Sequence, residues 1–126
     1  MRKVFLLLAV SMALSAGVRS AESELSTDLM QNIEDTNKSL SSDIALSNKQ
    51  AAAADAKELT QMFAEVETFF DHKGDAKNAV DLARQSKELS SEIAGLVASN
   101  NFESATTAAT TLSRTCRTCH TFYKKE

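Results

Sequence analysis

Apolar residues recur along this chain at three- and four-residue intervals, the spacing of one face of an α-helix. Four such segments stand out. The first spans about Ser26 to Ser47, with Leu29, Ile33, Leu40 and Ile44 near one stripe and Met30 beside it. Ser26 or Thr27 can cap its start, and Asp28 suits the first turn. The second spans about Asn48 or Lys49 to His72, with Leu59, Met62, Phe63, Val66, Phe69 and Phe70 in phase. It should end at Lys73-Gly74, because glycine can take the left-handed conformation that closes a helix. The third begins at Asp75, a good N-cap, and carries Ala79, Val80, Ala83, Leu89, Ile93, Leu96 and Val97 up to Ser99-Asn100-Asn101. Asn100 with Glu103 forms a variant of the capping box and would start the fourth. That segment carries Phe102, Ala105, Ala109, Leu112, Cys116, Cys119, His120 and Tyr123.

Four helices joined by turns of a few residues predict an all-α fold, an up-down-up-down antiparallel four-helix bundle. The composition agrees: no proline, three glycines and no tryptophan in 126 residues, a length that suits one domain. Ahead of the bundle, Arg2 and Lys3 precede an apolar run from Val4 to Val18 and then small residues. This reads as a secretory signal peptide over residues 1–20, with the bundle domain over 21–126. The apolar run is too short for a membrane span. Export to a bacterial periplasm is the expectation, with no membrane attachment once the signal is removed. Residues 1–20 hold Arg2, Lys3 and Arg19 but no acid. Eleven of the 14 basic side chains then face 17 acidic ones, a formal charge of 11 − 17 = −6. Such a charge disfavours nucleic acid and anionic lipid, and suits a basic or neutral docking surface.

The chemistry lies near the C-terminus. Cys116-Arg117-Thr118-Cys119-His120 is the attachment signature of a c-type haem. On a helix these three side chains stand at i, i+3 and i+4, on one face within about one turn. Cys116 and Cys119 would form thioethers to the porphyrin, and His120 would be an axial ligand of the iron. Both cysteines of the chain are in this motif, so no disulfide framework is open to it. One haem c per chain is expected. Candidates for the opposite axial position are Met30, Met62 and His72. In an antiparallel bundle, Met30 lies level with His120, Met62 lies about 15 Å further down, and His72 falls in a turn. Met30 is therefore the expected ligand, against the alternative of an ordinary core methionine. Phe69 and Phe70 are candidates to pack on the porphyrin, or form a plain aromatic core pair. Lys124, one turn beyond His120, could approach the haem edge, or simply favour the helix C-terminus. A thiol redox pair would want a βαβ setting, and a zinc site a second pair of donors.

Cys116-x-x-Cys119-His120-x-x-Tyr123-Lys124 on the last helix of a four-helix chain resembles the class II c-type cytochromes, the cytochrome c′ and cytochrome c556 group. The likeness covers the mature chain in layout, and only the C-terminal motif is specific. It implies thioether attachment at Cys116 and Cys119, axial ligation by His120, and Lys124 near the axial imidazole. In the cytochrome c′ branch an apolar side chain from the first helix leaves the iron five-coordinate and open to small gases. In the c556 branch a methionine near the start of that helix ligates it, and Leu29-Met30-Gln31-Asn32 is similar to the second. Cytochrome c′ often has an arginine one turn earlier, near a haem propionate, where this chain has Ser26. The resemblance implies an electron carrier rather than an enzyme, with NO or CO binding as the alternative. It also allows a homodimer through the first two helices. The redox partner is not legible.

Overall fold

The structure, a computed structural model, describes residues 25–123. The signal-peptide reading and Lys124 both lie outside the described residues. Four helices make up the described chain: α1 Thr27–Ala45, α2 Lys49–Lys73, α3 Lys77–Ala98 and α4 Phe102–Tyr123. Each packs on the next and α1 also meets α4, closing an antiparallel ring; α2 and α3 are in closest contact and α1 and α4 in the slightest. None of the four is long and apolar enough to cross a membrane.

The ends show how the sequence turns. Ser26 caps α1, its hydroxyl accepting from the Leu29 amide at 3.3 Å. Ser47, at φ 54°, sits in the left-handed region; its amide donates to Ile44 and that of Asn48 to Asp43. Asn48 then caps α2, its carbonyl oxygen accepting from the Ala51 amide. The α3–α4 turn repeats this design one for one. Asn100 at φ 59° donates to Val97, Asn101 donates to Leu96, and the Asn101 side chain accepts from the Ser104 amide. The helix-closing pair of bonds satisfies two orphan carbonyls, and the next residue's side chain satisfies an orphan amide. Asn100 is thus the closing residue of α3, and Asn101, not Asn100, is the cap of α4. Asparagine tolerates the left-handed region, which is why the two adjacent asparagines divide the work this way.

The start of α3 also differs from the sequence reading. Ala76, not Asp75, occupies the N-cap, with no side-chain capping bond. Ala76 is buried in the core cluster while Asp75 is exposed. Burial of the alanine at the bundle end sets where the helix begins, and the capping bond is forgone. Before it, Gly74 closes α2 at φ 78°, its amide donating to Phe70. A Cβ there would meet nothing within 4 Å. Gly74→Ala should therefore cost only the left-handed backbone penalty, about 1 kcal/mol, read by urea denaturation. No loss would mean that the turn relaxes.

The core alternates three- and four-residue steps. On α1 the seam is Met30, Ile33, Asn37, Leu40 and Ile44; on α3 it is Ala79, Ala83, Ser86, Ser90, Ile93 and Val97. Ser86 and Ser90 thus complete the seam, whereas Val80, Leu89 and Leu96, which the apolar spacing included, are only half-buried. The hydroxyls of Ser86 and Ser90 donate to the carbonyls of Leu82 and Ser86 at 2.8 Å, so their burial leaves no polar group unmet. Small side chains there let α2 and α3 approach closely.

Two carboxylates between helices carry opposite signs of strain. Glu67 of α2 is bound by Arg84, at 2.9 Å, and by Lys87, both on α3. The Lys87 hydrogen bond, opposed by burial and aided by Arg84, holds Glu67 below the usual carboxylate range. Asp55 is the reverse. Burial pushes it up, the Ser39 hydroxyl acts against that, and the neighbouring Asp43 carboxylate adds to it. One Asp55 oxygen is buried with no hydrogen-bond partner. Because the folded state favours protonated Asp55, its ionisation weakens the fold as pH rises through its raised value. Asp55→Asn is expected to raise the melting temperature at pH 7, and the gain should vanish near pH 3, where both states hold the proton. An equal gain at both pH values would assign the effect to something other than the charge.

Candidate functional site

The core of the bundle is filled towards one end and opens into a cavity towards the other. Towards the α1–α2 turn, Leu40, Leu59, Ile93 and Leu112 are fully buried. At the opposite end, where α1 begins and α4 ends, a cavity of about 420 Å³ opens among all four helices. That is within the roughly 300–1,000 Å³ of small-molecule and cofactor sites.

Its wall is built in layers. From α1 come Met30, Ile33, Glu34 and Asn37; from α4 come Ser113, Cys116, Arg117, Cys119 and His120. These two helices touch least, and most of the wall is theirs. Phe63 and Val66 of α2 and Leu82, Ala83 and Ser86 of α3 complete it. The Asn37 amide donates to the Ser113 hydroxyl at 3.2 Å, a polar tie across α1 and α4. The Asn37 carbonyl oxygen is buried and meets no donor. Next along α1 comes Leu40, fully buried, so Asn37 and Ser113 lie at the floor of the cavity.

Met30 is the fourth residue of α1 and His120 the fourth from the end of α4. In an antiparallel pair this sets them at one level, and both line the cavity. Met30 is half-buried and His120 exposed at the rim. Cys116 and Cys119 are half-buried and unpaired by any disulfide. Burial, with the neighbouring Cys119 as a lesser cause, pushes the Cys116 thiol up to about 11; burial also raises that of Cys119. Dithiol redox centres have the opposite shift, a thiol pKa lowered below its ordinary value. Among the described residues no three His, Cys, Asp or Glu side chains converge to hold a metal ion by themselves.

The other sequence candidates fall elsewhere. Met62 is a buried core residue outside the cavity wall, and His72 is exposed in the last turn of α2. Phe69 and Phe70 do not line the cavity. They stand edge to face, 5.0 Å between ring centres, and Phe70 meets Tyr123 of α4 at 5.4 Å. These three rings close the bundle end beside the cavity. The α2 aromatic that does line it is Phe63, two turns earlier. Phe63 was visible as an apolar residue in phase; what was missing was the depth of the hollow. Asn37, Ser86 and Ser113 lie on the same faces at seam spacing, but their polarity hid them. Arg117 fills one of the two positions that the Cys-x-x-Cys spacing leaves open, so the motif gives it no role.

The lining is mainly apolar, and two thiols, an imidazole and a thioether share it from facing helices. A flat, largely apolar macrocycle with a central metal suits such a wall: Cys116, Cys119 and His120 would hold it from α4, with Met30 opposite. Comparison with family models, with curated proteins and with solved structures returned no match to this chain.

Proposed function

We propose that this chain is a periplasmic, single-haem c-type cytochrome of the class II kind, an electron carrier rather than an enzyme. The observation that carries the reading is that Met30, Cys116, Cys119 and His120 line one cavity at one end of the bundle. The haem iron, when bound, supplies a one-electron couple. The chain's own residues do the rest. Cys116 and Cys119 fix the porphyrin by thioethers one turn apart, so that orientation does not depend on affinity alone. The His120 imidazole and the Met30 sulfur would hold the iron between α4 and α1; a filled shell would favour electron transfer over chemistry at the metal, and a thioether would raise the potential. Phe63, Val66 and Leu82 give the interior wall an apolar face.

The test is the visible spectrum of protein matured with haem-attachment machinery, oxidised and reduced, with and without carbon monoxide. Sharp low-spin bands in the reduced form, indifference to the gas, and colour that survives denaturation are expected. Colour resistant to denaturation should be lost in the double variant Cys116→Ser/Cys119→Ser. A broad high-spin spectrum that shifts with the gas would move the reading to a five-coordinate, cytochrome c′-like protein that binds NO or CO. Absence of any haem band would overturn both.

A further inference from the structure

The outward face of α4 differs in charge from the rest of the molecule. After Glu103 this helix carries no carboxylate, yet it holds Arg114 and Arg117. Both arginines are exposed. Four other cations of the bundle are paired, Lys38 with Glu34, Lys77 with Asp81, Lys87 with Glu67, and Arg84 with Glu67 and Asp81, while the exposed Lys49, Lys57 and Lys73 of α2 are in no such pair among the described residues but lie among the carboxylates Asp55, Glu58 and Asp71 of their own helix. Arg114 and Arg117 meet no carboxylate among the described residues. Along the same face run Thr118, Thr121 and Phe122, at spacings of three and four residues that align them on one stripe. Phe122 is 62% exposed, one of two large hydrophobic residues so placed among the described residues. The other, Leu46, lies at the opposite end of the bundle. The stripe also borders the cavity, because Arg117 belongs to both.

We propose that this stripe, Arg114, Arg117, Thr118, Thr121 and Phe122, is the docking surface for a protein partner that presents carboxylates around an apolar spot. This rests on the electron-carrier reading and names the chemistry of its partner. The mature chain's formal charge of −6 points the other way, towards a basic partner. Local charge decides at close range. At physiological salt the Debye length is about 8 Å, so carboxylates on the far helices are largely screened from a body seated on α4, and Glu34 of α1, which shares the cavity wall with Arg117, is itself paired with Lys38. The two guanidinium groups are three residues apart, within about one turn, and act together. Arginine and aromatic side chains are also the types enriched where interfaces concentrate their energy. A partner seated here lies one side chain from the wall that holds Cys116 and His120.

The full mature chain is titrated with a hexaglutamate peptide and followed by amide chemical shifts. Shifts confined to residues 114–122 are expected, abolished at about 0.5 M NaCl, where the Debye length is roughly 4 Å. Affinity should fall about fivefold or more in Arg114→Gln/Arg117→Gln, for two lost charge contacts. A control, Lys49→Gln/Lys57→Gln, should leave it unchanged. Shifts centred on Lys49 and Lys57, or none at all, overturn the proposal. So does concentration-dependent broadening without peptide, which would make a second copy the occupant. Arginine-dependent retention on phosphatidylglycerol vesicles would assign the face to a membrane and overturn it likewise. The titration reads the surface whether or not haem is attached, so its failure and that of the electron-carrier reading are told apart by the spectrum.

Discussion

If the proposed haem ligation holds, Met30→Ala is expected to convert a low-spin, gas-indifferent protein into a high-spin one that binds carbon monoxide. Met30 enters the cavity from α1 at the level of His120 on α4. Removing its side chain leaves no sulfur or imidazole nearby to replace it, since Met62 lies in the core and His72 in the last turn of α2. Loss of the thioether also lowers the potential, because that ligand favours the reduced iron. The check is the reduced spectrum with and without the gas, together with a redox titration. Met62→Ala is the control and should keep the low-spin bands while losing stability. An unchanged spectrum in Met30→Ala would remove Met30 from the axial position and leave its side chain as a filler of an irregular gap.

Leu40→Ala should be the most damaging single truncation away from the motif. Leu40 is fully buried and lies directly beyond the Asn37–Ser113 tie that floors the cavity. Leucine-to-alanine changes in cores cost about 2–5 kcal/mol, more where the surroundings cannot collapse into the gap. Here one side is already hollow, and the new void would join it. A loss of about 3–5 kcal/mol is a large share of the roughly 5–15 kcal/mol that holds a domain of this kind. Urea denaturation measures it. Leu46→Ala, at a residue 74% exposed, should change stability by no more than about 0.5 kcal/mol. Equal effects at the two positions would mean that the packed end of the bundle is not what holds the fold.

Threonine back-bonding runs along the whole of α4. Thr106, Thr107, Thr110, Thr111, Thr115, Thr118 and Thr121 each donate their hydroxyl to the carbonyl four residues back. Threonine is a weak helix former and such back-bonding slightly weakens a helix. The helix that bears the motif therefore depends on packing for its order. At the site end Ser113, Cys116, Arg117, Cys119 and His120 border the cavity.

Much of this was legible along the chain. The three- and four-residue spacing set four helices, and Ser26, Asn48 and Gly74 marked three of their ends, because capping and left-handed closure are local chemistry. The grouping of Cys116, Cys119 and His120 on one face follows from helical geometry alone. The level of Met30 follows from chain direction and rise per residue. Other features are decided only when helices meet. Ala76 begins α3 because the bundle end buries it, a fact that no capping preference contains. Ser86 and Ser90 belong to the core because their hydroxyls turn back on their own helix, so polarity misreports their burial. Phe70 faces Tyr123, while Phe63 faces the cavity, because the hollow reaches some two turns into the bundle; periodicity gives a residue's face but not the depth of a void. The sign of the α4 surface is of the same kind. Net charge is a property of the chain, but which cations are left unneutralised depends on which carboxylates the neighbouring helices bring within reach.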